Sequence, residues 1–151
     1  MTDPRIQKLA RLLVQHSTNL QAGDHVLIDV FDVPSEVPVA LIRAARSVGA
    51  FPHVQVNDSR ITRELCEDAE EERLDVVSKV ALTQMRSMDA YIAVRGSHNI
   101  NELSDVAPDT MKVIMKKARK VLNHRVNKTR WCVLRWPNPS MAQNAGMSTE
   151  A

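Results

Sequence analysis

The chain has 151 residues, 44% of them hydrophobic and 25% charged, with a formal net charge of +2. That length makes one domain with a core that hides roughly 70% of the surface its unfolded form exposes, and the composition excludes a mainly disordered chain. So small a net charge does not by itself imply nucleic acid, and no stretch approaches the ~18 consecutive apolar residues of a membrane span.

Met1 to Gln15 read as an amphipathic helix with charges throughout, unlike a secretory leader, so the expected compartment is the cytoplasm. Thr2 or Asp3 followed by Pro4 supplies its start, and Ile6, Leu9, Ala10 and Leu13 its apolar stripe. Gly23 closes the loop behind it. His25 to Val30 (HVLIDV) is a β-branched run bounded by turn residues and predicts a first strand. Pro34 and Ser35 lead into a helix carrying Val37, Ala40, Leu41, Ala44, Ala45 and Val48 on one face, with Pro38 tolerated in the first turn. Gly49 ends that helix, and Phe51 to Val56 predicts the second strand.

Ile61 to Met88 is polar and then apolar, with Leu74, Val77, Val80, Ala81, Met85 and Met88 at helical spacing. Asp89 to Val94 (DAYIAV) predicts a third strand and Arg95 to Ala107 a polar loop. Pro108 opens a basic helix in which Lys112, Lys116, Lys117, Arg119, Lys120, Arg125 and Lys128 meet no acid. Met111, Ile114, Met115, Ala118, Val121 and Leu122 give it an apolar stripe, so the cations read as a solvated face. Arg130 to Trp136 (RWCVLRW) predicts a fourth strand. Ser140 with Gln143 forms a capping-box pattern, Ser148 looks like another helix start, and Thr149 to Ala151 read as a first turn. A helix signal so close to the last residue leads us to expect the front part, residues 1–151, of a longer protein.

Strands alternating with helices imply parallel pairing, because a parallel crossover must carry the chain back along the sheet. The expected fold class is α/β, a three-layer helix-sheet-helix sandwich with a mostly parallel sheet, Rossmann-like without a nucleotide site. In such sheets ligands bind outside the carboxyl ends of the strands. The loops there hold Asp32; Asn57, Asp58 and Arg60; Arg95, Ser97, His98 and Asn99; and Asn138. These residues form either a functional surface or the ordinary furniture of turns and helix caps.

Known catalytic motifs are missing. The first strand runs into Phe31, Asp32, Val33 and Pro34, with no glycine to let a backbone approach pyrophosphate. Gly96, Ser97 and His98 set a hydroxyl beside a base, but Asn99 stands near where a nucleophile elbow needs glycine. His16, His25, His53, His98 and His124 are scattered, with no two at adjacent helical positions that would meet one metal. Cys66 and Cys132 have neither a CxxC nor a zinc-ligand spacing and read as reduced, partly buried thiols.

The segment RWCVLRWPNPSMAQNAGMS resembles the strand, proline-rich loop and helix start near the end of the N-terminal domain of the aminopeptidase T and aminopeptidase S family of metallopeptidases. GDHVLIDV, RAARSVGAFPHV and DAYIAVRGSHNINELSDVAPD agree with it in colinear order. The resemblance implies a parent hydrolase that removes N-terminal residues from peptides. Its two divalent metals, zinc, cobalt or similar, are held by a further C-terminal domain. It also implies a homodimer, with neither nucleic acid nor membrane as partner. No family ligand maps onto a residue here, so no catalytic or metal residue and no cofactor is expected in these 151 residues, which alone should be inactive. Arg95, Asn99, Trp136 and Asn138 are the residues expected to line the cleft. The competing reading is a stand-alone α/β binding module that uses the basic helix over 112–128 on an acidic partner.

Overall fold

In the computed structural model, which describes residues 3–67 and 69–150, the chain alternates helices and strands as the periodicity requires. The elements are α1 (Pro4–Leu12, continued by a π-helical turn over Leu13–Ser17), β1 (His25–Phe31), α2 (Glu36–Ser47) and β2 (Phe51–Asn57). These are followed by α3 (Ser59–Glu67), α4 (Glu71–Arg86), β3 (Ala90–Arg95), α5 (Pro108–Lys128), β4 (Arg130–Arg135) and α6 (Pro139–Asn144). Asp3 caps α1 by accepting from Arg5 N at 2.8 Å, with Pro4 at the first helical position. The alternative start at Thr2 and the final turn at Ala151 lie outside the described residues.

The four strands form one all-parallel sheet in the order β2-β1-β3-β4. The chain steps outward from β1 to β2, then crosses back over β1 to reach β3. Because parallel crossovers keep a right hand, that reversal puts the connecting helices on opposite faces. One face carries α1 and α2 over Val26, Ile28, Val30, Ile92 and Val94. The other carries α4 and α5 over Leu27, Tyr91 and Ala93, with Met85, Met88 and Val121 closing the second core. β1 and β3 are buried on both faces, which is why they read as nearly continuous apolar runs.

Three details differ from the sequence reading. The polar first half of the 61–88 stretch, to which the spacing assigned no element, is a helix of its own, α3, beginning at Ser59. The apolar stripes of α4 and α5 are only partly covered: Leu74, Met85 and Val121 are buried, whereas Val77, Val80, Met115 and Leu122 are exposed. Each of these helices touches the sheet along a strip narrower than its apolar arc. At the end of the chain Asn138, not Ser140, caps α6, its Oδ1 accepting from Met141 N at 2.9 Å with Pro139 at the first helical position. Ser140 instead accepts Ile100 N at 3.2 Å, and Thr149 and Glu150 form a turn instead of a helix. Among the described residues no helix is long and apolar enough to cross a membrane.

The crevice between the carboxyl ends of β1 and β3 is where the crossovers diverge to opposite faces. Here it is filled by backbone. Gly96 N donates to Phe31 O at 2.8 Å, and a Cβ on Gly96 would lie 2.3 Å from Asp32 O. Gly96→Ala is therefore expected to destabilise the protein by about 1–3 kcal/mol, the usual cost of overpacking, read as a lower urea midpoint with an unchanged slope.

Candidate functional site

Asp29 sits in the middle of β1, on the α4/α5 face, and is 94% buried. Period-two alternation places it between Leu27 and Phe31 on that face, so its carboxylate enters an apolar layer and must find partners there. They come from both neighbouring strands. Asn57, the last residue of β2, donates Nδ2 to Asp29 Oδ1 at 2.7 Å. From β3, the Tyr91 hydroxyl meets Oδ2 at 2.6 Å and Arg95 Nη2 donates to the same oxygen at 2.8 Å. Arg95 Nη2 also reaches the Tyr91 hydroxyl at 2.6 Å.

Two aromatic faces complete the cluster. The Arg95 guanidinium lies 4.4 Å from the Phe31 ring centroid, and Arg125 of α5 lies 3.9 Å from that of Tyr91. Burial, followed by the adjacent Asp29 charge and its hydrogen bond, pushes the Tyr91 phenol well above its ordinary range. Tyr91 is thus a fixed donor, and Asp29 is surrounded by groups that stabilise its charge.

Most of the polar loop residues singled out by the sequence are structural. Asp32, at a positive φ of 45°, accepts Ser59 N on Oδ1 at 3.0 Å and so caps α3 from across the sheet. Asp58 Oδ1 accepts Arg60 N and Ile61 N at 2.8 and 3.1 Å at the start of the same helix. Asn99 Oδ1 accepts Asn101 N at 3.0 Å. Cys66 is buried, Cys132 half-buried, and both are free thiols.

Arg95, Asn99, Trp136 and Asn138 all lie at the carboxyl end of the sheet, with Trp136 N donating to Arg95 O at 2.9 Å. Their side chains do not converge. Arg95 points to the α4/α5 face, whereas Trp136 packs on the α1 side beside an apolar groove with Ile6, Leu9 and Leu134. Unmet hydrogen-bonding capacity lies on two guanidinium groups of the Asp29 cluster and at the start of α3. Arg95 Nη1, Arg125 Nε, Asp32 Oδ2 and Ser59 Oγ are the buried polar side-chain atoms without a protein partner among the described residues.

Sequence reasoning missed Asp29 and Tyr91, and placed Asn57 in the polar cluster without its partner. The signal was present as one acid in the centre of HVLIDV and as Tyr91 and Arg95 four residues apart on one face of a strand. A second pair it missed is His25 and His53, scattered in sequence but adjacent in the sheet.

A closed switch-point crevice and a buried carboxylate network make this an α/β sandwich domain of the doubly wound class without a dinucleotide loop. The model for the thermophilic metalloprotease (M29) family matches residues 2–151, and the chain belongs to that family. Among solved structures it is similar to wild-type AmpT from Thermus thermophilus, with a TM-score of 0.75 and 22% identity, covering 97% of this chain and 40% of that one. The chain thus spans less than half the length of that relative, and the likeness shows the shared fold. The CurK enoyl reductase is more remote, at a TM-score of 0.42 and 12% identity over 95% of this chain and 45% of that one. No curated protein matches the chain.

Tyr91 is the only tyrosine in the chain, so tyrosinate absorbance reports on it alone. Unfolded tyrosine ionises near pH ~10. Above that pH the folded state keeps a proton the unfolded state releases, and stability must fall as pH rises. The expected result is no tyrosinate signal from folded protein until alkaline unfolding exposes it. Tyr91→Phe should flatten most of the alkaline loss of stability, leaving the contribution of Cys66, whose thiol burial also pushes up. Asp29→Ala, which strands Arg95, is expected to cost about 3 kcal/mol in urea denaturation.

Proposed function

We propose that residues 1–151 are the amino-terminal α/β domain of a metal-dependent aminopeptidase. The parent protein would release N-terminal residues from peptides using two divalent metals held elsewhere in its chain. The observation that carries this reading is the M29 family match over residues 2–151. The AmpT likeness supports the domain division, because this whole fold corresponds to only 40% of that chain. Among the described residues no three His, Cys, Asp or Glu side chains converge on one point. The residues present therefore do not fit a two-metal centre, and no catalytic step is routed through them.

The role left to this domain is to wall the substrate cleft with the carboxyl end of its sheet. Arg95 is suited to it: Nη2 is locked on Asp29 and Tyr91, which fixes the guanidinium plane, while 24% of the side-chain surface stays exposed. A guanidinium held this way has little side-chain entropy left to lose, and its exposed edge, not the buried Nη1, would border the cleft. Asn99, Trp136 and Asn138 lie at the same end of the sheet and would border the cleft at separate points, Trp136 from the α1 side. The parent would be a cytoplasmic homodimer acting on peptide substrates, with neither nucleic acid nor membrane as partner.

Purified residues 1–151 are expected to release no leucine from a chromogenic amide with zinc or cobalt present, whereas the protein extended by the reading frame past residue 151 should do so. In that longer protein Trp136→Ala is expected to raise KM by roughly tenfold with kcat within about threefold, the pattern of lost uniform binding. Robust metal-dependent turnover by residues 1–151 alone would overturn the reading.

A further inference from the structure

We propose that His25 and His53 form a two-imidazole binding site for a borderline divalent metal ion, with Cu(II) preferred and Ni(II) next. His25 opens β1 and His53 is the third residue of β2. The register pairs Leu27 with His53, which makes the two histidines diagonal neighbours on one face of the sheet. Their rings are tilted by 28° with centroids 5.2 Å apart, and His25 Nδ1 stands 2.9 Å from His53 Nε2. Both residues are half-buried, so the pair is shaped by the fold yet reachable by an ion with its remaining water ligands.

The donor chemistry selects the ion. Two neutral imidazoles suit copper, nickel and zinc, and do not suit magnesium or calcium, which take oxygen. With metal-to-nitrogen bonds of about 2.0 Å, two ligands at right angles stand about 2.8 Å apart and two tetrahedral ligands about 3.3 Å. The 2.9 Å hydrogen-bond separation puts the two nitrogens within the span that one ion can bridge once the rings turn, and copper leads the divalent affinity series. In the hydrogen-bonded pair one ring donates and the other accepts. The donor ring can carry its proton on its far nitrogen instead, so both facing nitrogens become lone pairs with no change in charge. A turn of each ring about χ2, a broad torsion, then aims both at one point off the line joining them.

The backbone beneath is already anchored. His25 N donates to Asp89 Oδ2 at 2.8 Å, Asp89 N donates to His25 O at 2.8 Å, and Phe51 flanks the His25 ring with centroids 5.1 Å apart. An ion therefore meets two ligands whose strands are ordered before it arrives, which lowers the entropy cost of binding.

The test is titration of untagged protein with CuSO4, followed by long-range imidazole ¹H–¹⁵N spectra and by Cu(II) electron paramagnetic resonance. The expected result is one tight Cu(II) per chain that broadens the His25 and His53 ring signals first, with a two-nitrogen coordination signature. His25→Gln and His53→Gln should each weaken binding at least tenfold, while His16→Gln leaves it unchanged, Ni(II) binds more weakly and Mg(II) does not bind. Equal broadening of all five histidines in the unaltered protein, or wild-type affinity in His53→Gln, would overturn the site. The ring spectra decide the matter even if a variant fails to fold, and no outcome depends on peptidase activity.

Discussion

The structure turns on a carboxylate placed where apolar side chains belong. Asp29 lies in a central strand, buried between two helical layers, and an ion there is tolerated only when its lone pairs are met. The groups that meet it come from β2 and β3, so the cost of burying one charge is offset by contacts that hold three strands at their carboxyl ends. An apolar residue of similar size would pack as well and would not do this. It would leave Tyr91 with a buried hydroxyl and Arg95 free to swing, whereas Asp29 fixes both. The same bonds that anchor Arg95 Nη2 also determine where its unused Nη1 stands. Interior packing and the position of the Arg95 guanidinium at the sheet's end are therefore one arrangement.

The sheet is wider than its helical cover. β1 and β3 are closed on both faces, but the outer strands keep Val54, Val56, Trp131 and Val133 exposed, and the far side of α4 leaves Val76, Val77 and Val80 in the open. Isolated exposed aliphatics are ordinary. Their recurrence leaves apolar surface uncovered on both edge strands and on the outer side of α4. On the basic helix α5, Lys117 is held by Asp75 and Glu71, and Arg125 lies against Tyr91.

The architecture was legible because its determinants are local. Strands β1 and β3 announce themselves as short β-branched or apolar runs between turn residues, Pro4 and Pro108 mark helix starts, and strand-helix alternation leaves parallel pairing as the economical answer. The extent of burial was not legible. Helical spacing in α4 and α5 records which side of each helix is apolar, but not how much of that side the sheet can cover. The α6 cap shifted from Ser140 to Asn138 because Pro139 takes the first helical position and leaves the asparagine side chain as the acceptor one residue earlier. The site was the least legible part. Asp29 and Asn57 are 28 residues apart and Asp29 and Arg95 are 66 apart, as His25 and His53 are separated by 28. Only strand register brings such residues together, and single-sequence periodicity does not contain register.

The crevice between β1 and β3 shows how a doubly wound sheet can abandon its usual ligand. A dinucleotide site needs glycine in the first strand-to-helix turn so that phosphate can approach the backbone and the helix N-terminus. Here that turn is Phe31, Asp32, Val33 and Pro34, and the glycine lies across the crevice, at the end of β3. Gly96 uses the room made by its missing side chain to bring its own backbone against Phe31 and Asp32, so the space that could hold phosphate is occupied by protein. Asp32, freed from any ligand, is held at a positive φ and reaches across to cap α3. Open hollows at this end of the sheet lie beside Asp58, Arg60 and Glu64 after β2, and beside Trp136 and Pro137 after β4. A surface of that kind lacks the enclosed phosphate cradle of a dinucleotide site.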